Sequence, residues 1–390
     1  MLYREALGIA TIRNTLLLGV LCRIPMFAMA VLFTLHLVEN ITPSYSRAGV
    51  ITAAMTVAMS ISAPWRGHML DTQGLRRTMV PSIVVLIPTY TGMALVNNYW
   101  LLLGLAIIAG GMAIPTFSVI RQVLISNSPL HLRKSTVALD GTITELSFMI
   151  GPAVAIWIAT AWSTRWTVLL FGLLTVGAAS VLTIANPPIV DLHQEDSAPA
   201  GNESKLAWVN LRVVGILAAV TGLGFTLAGT DLAVVAGLRS LGRPDAIGWV
   251  LAGWGFTSAI AGLLYGALPR QIGVSWLLLG LGLLTIPVMG APNVTVFALL
   301  LMAAGLFCAP SLVASVDELQ QEVPPRFRGQ AMGWQGTAMT IGNASAPPIV
   351  GAFMDARGWS SGFLVTGLTG VVIGAALLAV TSLRRRRLAS

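Results

Sequence analysis

Apolar runs of about twenty residues recur along this chain with short polar connectors between them, and no other feature restricts its fold so strongly. A run of that length is what an α-helix needs to cross the roughly 30 Å hydrocarbon core of a bilayer. The window places segments 1 to 6 at about 15–38, 48–65, 78–96, 100–125, 136–161 and 165–184, and segments 7 to 12 at about 208–235, 247–266, 274–289, 295–316, 330–353 and 361–383. The expected architecture is therefore an all-α integral membrane protein of twelve transmembrane helices. Composition agrees: 10% of the residues are charged and mean hydropathy is +0.81, against about 25% charged residues in a soluble domain.

Arg4, Arg13, the apolar stretch after them and Ala28-Met29-Ala30 imitate a cleavable signal peptide. The apolar run continues to Val38, long enough to span, so it reads as a retained first helix. The net charge of +8 does not point to nucleic acid, because the Lys and Arg residues sit in short connectors. Seventeen fall on the side that holds both termini and only five (Arg47, Arg165, Arg239, Arg243 and Arg357) on the other. That asymmetry puts both termini in the cytoplasm of a bacterial inner-membrane protein. The tail Arg384-Arg385-Arg386-Arg387 abuts segment 12 and suits anionic lipid. Cys22 and Cys308 are isolated, and His36, His68, His131 and His193 lack ligand spacing, so neither a metal site nor a cofactor is expected.

The polar stretch 187–206 divides the chain into a six-helix bundle at 1–186 and a second at 207–390. The halves also repeat. At an offset of 195 residues Pro115 meets Pro310, Pro129 meets Pro324, Arg133 meets Arg328, Gly141-Thr142 meets Gly336-Thr337, and Pro152 meets Pro347. Two pseudo-symmetric bundles in parallel repetition are the plan of many transporters.

The connector between segments 2 and 3 reads Gly67-His68-Met69-Leu70-Asp71-Thr72-Gln73-Gly74-Leu75-Arg76-Arg77. It resembles the G-x-x-x-D-x-x-G-x-R-R signature of the major facilitator superfamily, which lies at that loop, and the resemblance extends over the helix count, the split and the repeat. A second, degenerate copy holds Gly266, Arg270 and Gly273 between segments 8 and 9, with arginine in place of the acid. The resemblance implies a cytoplasmic gate in which Asp71 docks on the positive N-terminal end of segment 11, with Arg76 and Arg77 beside it. Gly67 and Gly74 would allow close helix approach and a tight turn. In segment 5, Glu145 to Ala155 is similar to the G-x-x-x-G-P-x-x-G motif of exporters that exchange substrate for protons. Ser147 and Ala155 replace two glycines, while Gly151 and Pro152 keep the packing site and the kink. The Arg-x-x-x-Gln-Gly motif of family antiporters in segment 4 is missing, and Arg121-Gln122 lies near its cytoplasmic end.

Ionisable groups inside a membrane cost about 2.5–3.5 kcal/mol each on insertion scales and are functional candidates by default. Arg23, Glu145 and Asp231 are the candidates for substrate or proton coupling. Counted along their helices, Arg23 and Glu145 each sit roughly 15 Å into the membrane. The family fold sets segments 1 and 5 side by side, which makes them a plausible pair, either a switch or a structural salt bridge. Asp231 is read near the outer interface and Asp140 near the cytoplasmic one, where charge is cheap. The resemblance also implies that segments 1, 4, 7 and 10 line a central cavity. Met26, Phe27, Met112, Phe117, Phe225, Met302 and Phe307 are its apolar candidates, with Pro25, Pro115 and Pro310 as bends.

A Met- and Phe-rich cavity suits amphipathic substrates. The expected function is secondary transport of a small molecule by alternating access in a monomer, as efflux coupled to protons, on a branch resembling bacterial drug and metabolite exporters. Uptake of a small metabolite, or a sensor without transport on the same fold, stays open as an alternative. No nucleophile–base set points to an enzyme.

Overall fold

A backbone in lipid must satisfy its own N–H and C=O groups, and an unclosed chain does so only as helix. The computed structural model describes residues 2–129, 131–186, 208–266, 272–324 and 327–389, and it contains no strand among them. The side chains of Asp71, Phe117, Glu145 and 381–389 also lie outside the described part, as do residues 187–207, which hold the expected linker. The helices are α1 (Leu2–Gly8), α2 (Ala10–Asn40), α3 (Tyr45–Leu95), α4 (Tyr99–Gly111), α5 (Thr116–Ser126), α6 (Arg133–Ala161) and α7 (Thr164–Ala185) in the first half. The second half holds α8 (Leu211–Ser240), α9 (Ile247–Gly266), α10 (Val274–Thr285), α11 (Val294–Gly305), α12 (Cys308–Glu322), α13 (Arg328–Arg357) and α14 (Ser360–Ala389).

Nine helices are long and apolar enough to cross a membrane, among the described residues. Two shorter apolar helices, Tyr99–Gly111 and Val274–Gly290, stand where segments 4 and 9 are expected. The remaining long helix, α13, runs 30 residues but carries Gln330, Gln335, Thr337, Thr340, Asn343 and Ser345. Gln335 is buried and donates to Ser315 Oγ of α12 at 2.9 Å, so helix contacts rather than lipid satisfy that polar face.

The internal repeat is visible in how the helices break. The turn before Pro115 separates α4 from α5, and the turn before Pro310 separates α11 from α12. Helices α6 and α13 then open on Arg133 and Arg328 and carry Pro152 and Pro347 inside. In α3 the break is at Gly74, where a φ of 80° and a ψ of 173° put a kink between two helical stretches. That left-handed φ is one only glycine adopts without strain.

The chain separates into two compact units, Met1–Ile41 with Val57–Ser197, and Thr42–Thr56 with Ala198–Ser390. Thr42–Thr56, in the first half of the sequence, clusters with the second unit. In the first unit α6 lies on α2, and a Cβ on Gly151 would stand 2.6 Å from Ile24 O and 3.2 Å from Ala28 N. In the second, a Cβ on Gly282 of α10 would stand 2.5 Å from the Gly367 carbonyl of α14. Small residues at such crossings let dispersion contacts replace the hydrophobic drive that lipid removes.

Gly151→Ala is expected to force α6 off the α2 backbone and cost about 1–3 kcal/mol, read as a lower thermal unfolding midpoint in detergent. Gly67→Ala serves as the control, since a Cβ there meets nothing within 4 Å; an equal loss in both variants would show that the crossing is not tight.

Candidate functional site

The charge centre of the first unit is built from three helices. Arg23 of α2 is completely buried, and its Nη1 donates to Asp140 Oδ1 of α6 at 2.7 Å. Arg121 of α5 brings its Nε to 4.0 Å from the other oxygen, Oδ2. Its side chain is 61% exposed, while that of Asp140 is 2% exposed. One buried carboxylate thus faces two guanidinium groups, one enclosed and one open.

The local sequence explains the pairing. Long side chains on a helix run back toward its N-terminus, and Gly19, one turn before Arg23, leaves room for this one. A Cβ at Gly19 would stand 3.2 Å from Arg23 Nη1 and 3.4 Å from Ile120 Cγ2. The guanidinium therefore meets α6 below the level of its own Cα, at Asp140. Depth counted from Cα positions does not find the contact with Asp140, because it leaves out the length of the arginine side chain. Asp140 is corrected to a buried ion-pair partner; the side chain of Glu145 lies outside the described residues.

Asp231 is the isolated acid of the second unit. It sits nine residues before the end of α8 at Ser240, about 14 Å at 1.5 Å per residue. Its Oδ1 is closed off from solvent without a hydrogen-bond partner, and it makes no ion pair among the described residues.

Three polar contacts were missed by sequence reasoning. Arg66 counts in sequence as a topogenic loop charge, yet it is buried and spans the break at Gly74 by donating to Ser82 Oγ and, at 3.5 Å, to the Thr78 carbonyl. The Thr78 and Ser82 pair, one turn apart just past the loop, was the only available signal. His36 is likewise buried: its Nδ1 meets Asn40 Nδ2 at 3.2 Å, and Asn40 donates on to Thr164 Oγ1 of α7 at 2.8 Å. Glu318 of α12 accepts from the Val274 N–H at 2.7 Å and so caps α10.

In the Gly67–Arg77 loop, Arg76 lies 3.4 Å from both the Thr183 and Ile184 carbonyls and so satisfies the end of α7, the negative end of that helix dipole. Arg77 is exposed, Gly67 has no close neighbour, and the Asp71 side chain lies outside the described residues. Of the second copy, Gly273 precedes α10 beside Glu318, a Cβ at Gly266 would meet nothing within 4 Å, and Arg270 lies outside the described residues. In α6, Ser147 is buried and bonds back to the Ile143 carbonyl at 2.8 Å, while Pro152 follows the Gly151 crossing within an unbroken helix.

Three of the apolar cavity candidates, Phe27, Met302 and Phe307, touch another helix of their own unit. Phe27 stacks edge-on against Phe148 of α6 at 5.3 Å. Phe307 fills the space over Gly280 of α10, Met302 lies over Gly253 of α9, and Phe225 is buried. Met112 touches Arg66, Met26 is half-buried, and the side chain of Phe117 lies outside the described residues.

Repeated apolar helices, two units with a repeated break and a buried charge centre are the features of a multi-pass membrane protein. The profile of the Major Facilitator Superfamily matches residues 15–238 and 214–389, and the chain belongs to that family. Among proteins of known description, a probable L-galactonate transporter of Escherichia coli (strain K12) is 32% identical over 132 residues, a stretch spanning 33% of this chain and 29% of that protein. A bacterial homologue of the human lysosomal transporter Spinster superimposes with a TM-score of 0.75 at 12% identity, over 98% of this chain and 97% of its own. The nucleoside transporter NupG does so at 0.72 and 14%, over 95% and 99%. At these identities the two structures attest the fold.

Asp140→Asn leaves Arg23 buried without its counter-charge and is expected to cost about 3–5 kcal/mol. Replacing both partners, as Arg23→Met with Asp140→Leu, should recover most of that loss. Thermal unfolding in detergent of the wild type, Asp140→Asn, Arg23→Met, Asp140→Leu and the double variant checks it; losses that add in the double variant would mean that the pair does not act as one unit.

Proposed function

We propose that this chain carries a small organic anion across the bacterial inner membrane by alternating access, with Arg23, Asp140 and Arg121 as the charge centre that receives it. The observation that carries the reading is the imbalance of that centre: two guanidinium groups share one carboxylate, and the open one, Arg121, is 4.0 Å from it. A carboxylate or phosphate group on a substrate suits the forked donors of Arg121. The partial likeness to a probable L-galactonate transporter supports the same substrate class. Three of the Met and Phe side chains that favoured efflux of amphipathic compounds, Phe27, Met302 and Phe307, are packed against helices of their own unit. The reading therefore moves from efflux of such compounds to carriage of a metabolite.

Asp231 is the group we assign to coupling. A carboxyl inside a membrane span with no cation beside it is expensive as a bare charge, and a site of that kind is suited to taking and releasing a proton with each cycle. The Gly67–Arg77 loop, with Asp71 and Arg76, belongs to the cytoplasmic gate in this reading, and both termini face the cytoplasm.

Screening the purified protein for ligand-induced thermal stabilisation separates the substrate classes. A ligand at a hundred times its dissociation constant adds about 2.7 kcal/mol. Sugar acids and other small carboxylates are expected to stabilise the wild type, and Arg121→Gln to lose the effect; stabilisation by cationic drugs alone would refute the anion reading. In proteoliposomes, Asp231→Asn is expected to abolish accumulation driven by a proton gradient while leaving substrate exchange within about twofold of wild type. Accumulation at the wild-type rate would remove Asp231 from the coupling step.

A further inference from the structure

The first turns of α3 cluster with the second unit although α3 lies in the first half of the chain, and one carboxylate holds them there. Ser44 Oγ donates to Asp355 Oδ2 of α13 at 2.6 Å, the Tyr45 N–H to Oδ1 at 2.8 Å and the Ser46 N–H to Oδ2 at 3.0 Å. Ser44 Oγ in turn accepts from the Arg47 N–H at 3.2 Å. The donors at the start of a helix have no partner within it, and a negative charge is stabilising at that end of the helix dipole. Asp355 therefore acts as the N-cap of α3, supplied from another helix.

Two glycines lie behind this cap. A Cβ on Gly351 would stand 2.6 Å from Ser46 N and from the Tyr45 carbonyl, and one on Gly49 would collide with Pro347 and Pro348. The start of α3 thus lies backbone to backbone on the end of α13, with Ser46 Oγ 3.4 Å from the Pro348 carbonyl. Past Thr56 the same helix belongs to the first unit. Little side-chain interlocking would have to be undone to separate α3 from α13 at this end. The bonds to Asp355 are exposed, so water can replace them at small cost.

We propose that Asp355 is a releasable clamp, holding the start of α3 on α13 in one state of the transport cycle and letting it go in the other. This rests on the alternating-access reading, and the charge count, with Arg47 and Arg357 on the non-cytoplasmic side, puts the clamp at the membrane face opposite the Gly67–Arg77 gate.

Spin labels at Val50→Cys and Phe353→Cys report the separation directly by pulsed electron resonance in liposomes without substrate; the native thiols Cys22 and Cys308 are buried and stay unlabelled. The wild type is expected to show mainly the short distance. Asp355→Asn should raise the ratio of long to short distances about three- to thirtyfold, the range of a lost helix cap. Ser44→Ala, which removes one of the three bonds and no charge, should raise it less, and it decides alone if Asp355→Asn does not fold. Distance distributions unchanged from wild type, or a wild type already at the long distance, overturn the clamp. Because no substrate is used, a failed transport assay leaves this result standing, and its failure leaves the transport reading to its own tests.

Discussion

Lipid offers no hydrogen bonds, and that single fact organises the molecule. It makes every described element a helix, and it leaves each helix end and each break as a place where polar groups must find a partner inside the protein. The charged side chains go largely to those places. Arg66 covers the Thr78 carbonyl beyond the break in α3, Arg76 covers the last carbonyls of α7, Glu318 caps α10 and Asp355 caps α3. Few ionisable groups remain for function, so the exceptions stand out: Arg23 with Asp140 and Arg121, and Asp231.

The exceptions differ in kind. Arg23 and Asp140 neutralise each other completely out of solvent, which by itself could be no more than structure. Arg121 changes the balance because it is open and adds a second positive charge to a single acid. Asp231 has the reverse problem, a carboxyl whose sealed Oδ1 has no hydrogen-bond partner among the described residues. Among the described residues, the first unit thus sets two guanidinium groups on one carboxylate, and the second holds Asp231 without an ion pair.

Much of this fold was legible in the sequence because its signals are long or repeated. Runs of twenty apolar residues mark spans, and Pro115 with Pro310, or Arg133 with Arg328, mark the same break and the same helix start in each half. Gly74 announced a turn, and its positive φ shows one. The misses have physical causes. Depth along a helix locates Cα and not the end of an arginine, so the contact of Arg23 with Asp140 was not foreseen. Asp355 sits at a helix end where a charge usually means only solvent, and its partners lie more than 300 residues away. Nor could periodicity separate Phe27 or Phe307 as cavity walls from the packing contacts they make, since both fates ask for the same apolar residue.

The polarity of α13 bears on how this protein is made. A helix with two glutamines, an asparagine and two consecutive prolines has weak affinity of its own for a bilayer. What keeps it in place is its company: Gln335 answered by Ser315, Gly342 seated on the backbone of α8 at Phe225, and Gly351 on the start of α3. Its integration during synthesis must therefore draw on helices already in the membrane, so the order in which the chain emerges is part of what lets this sequence reach its fold.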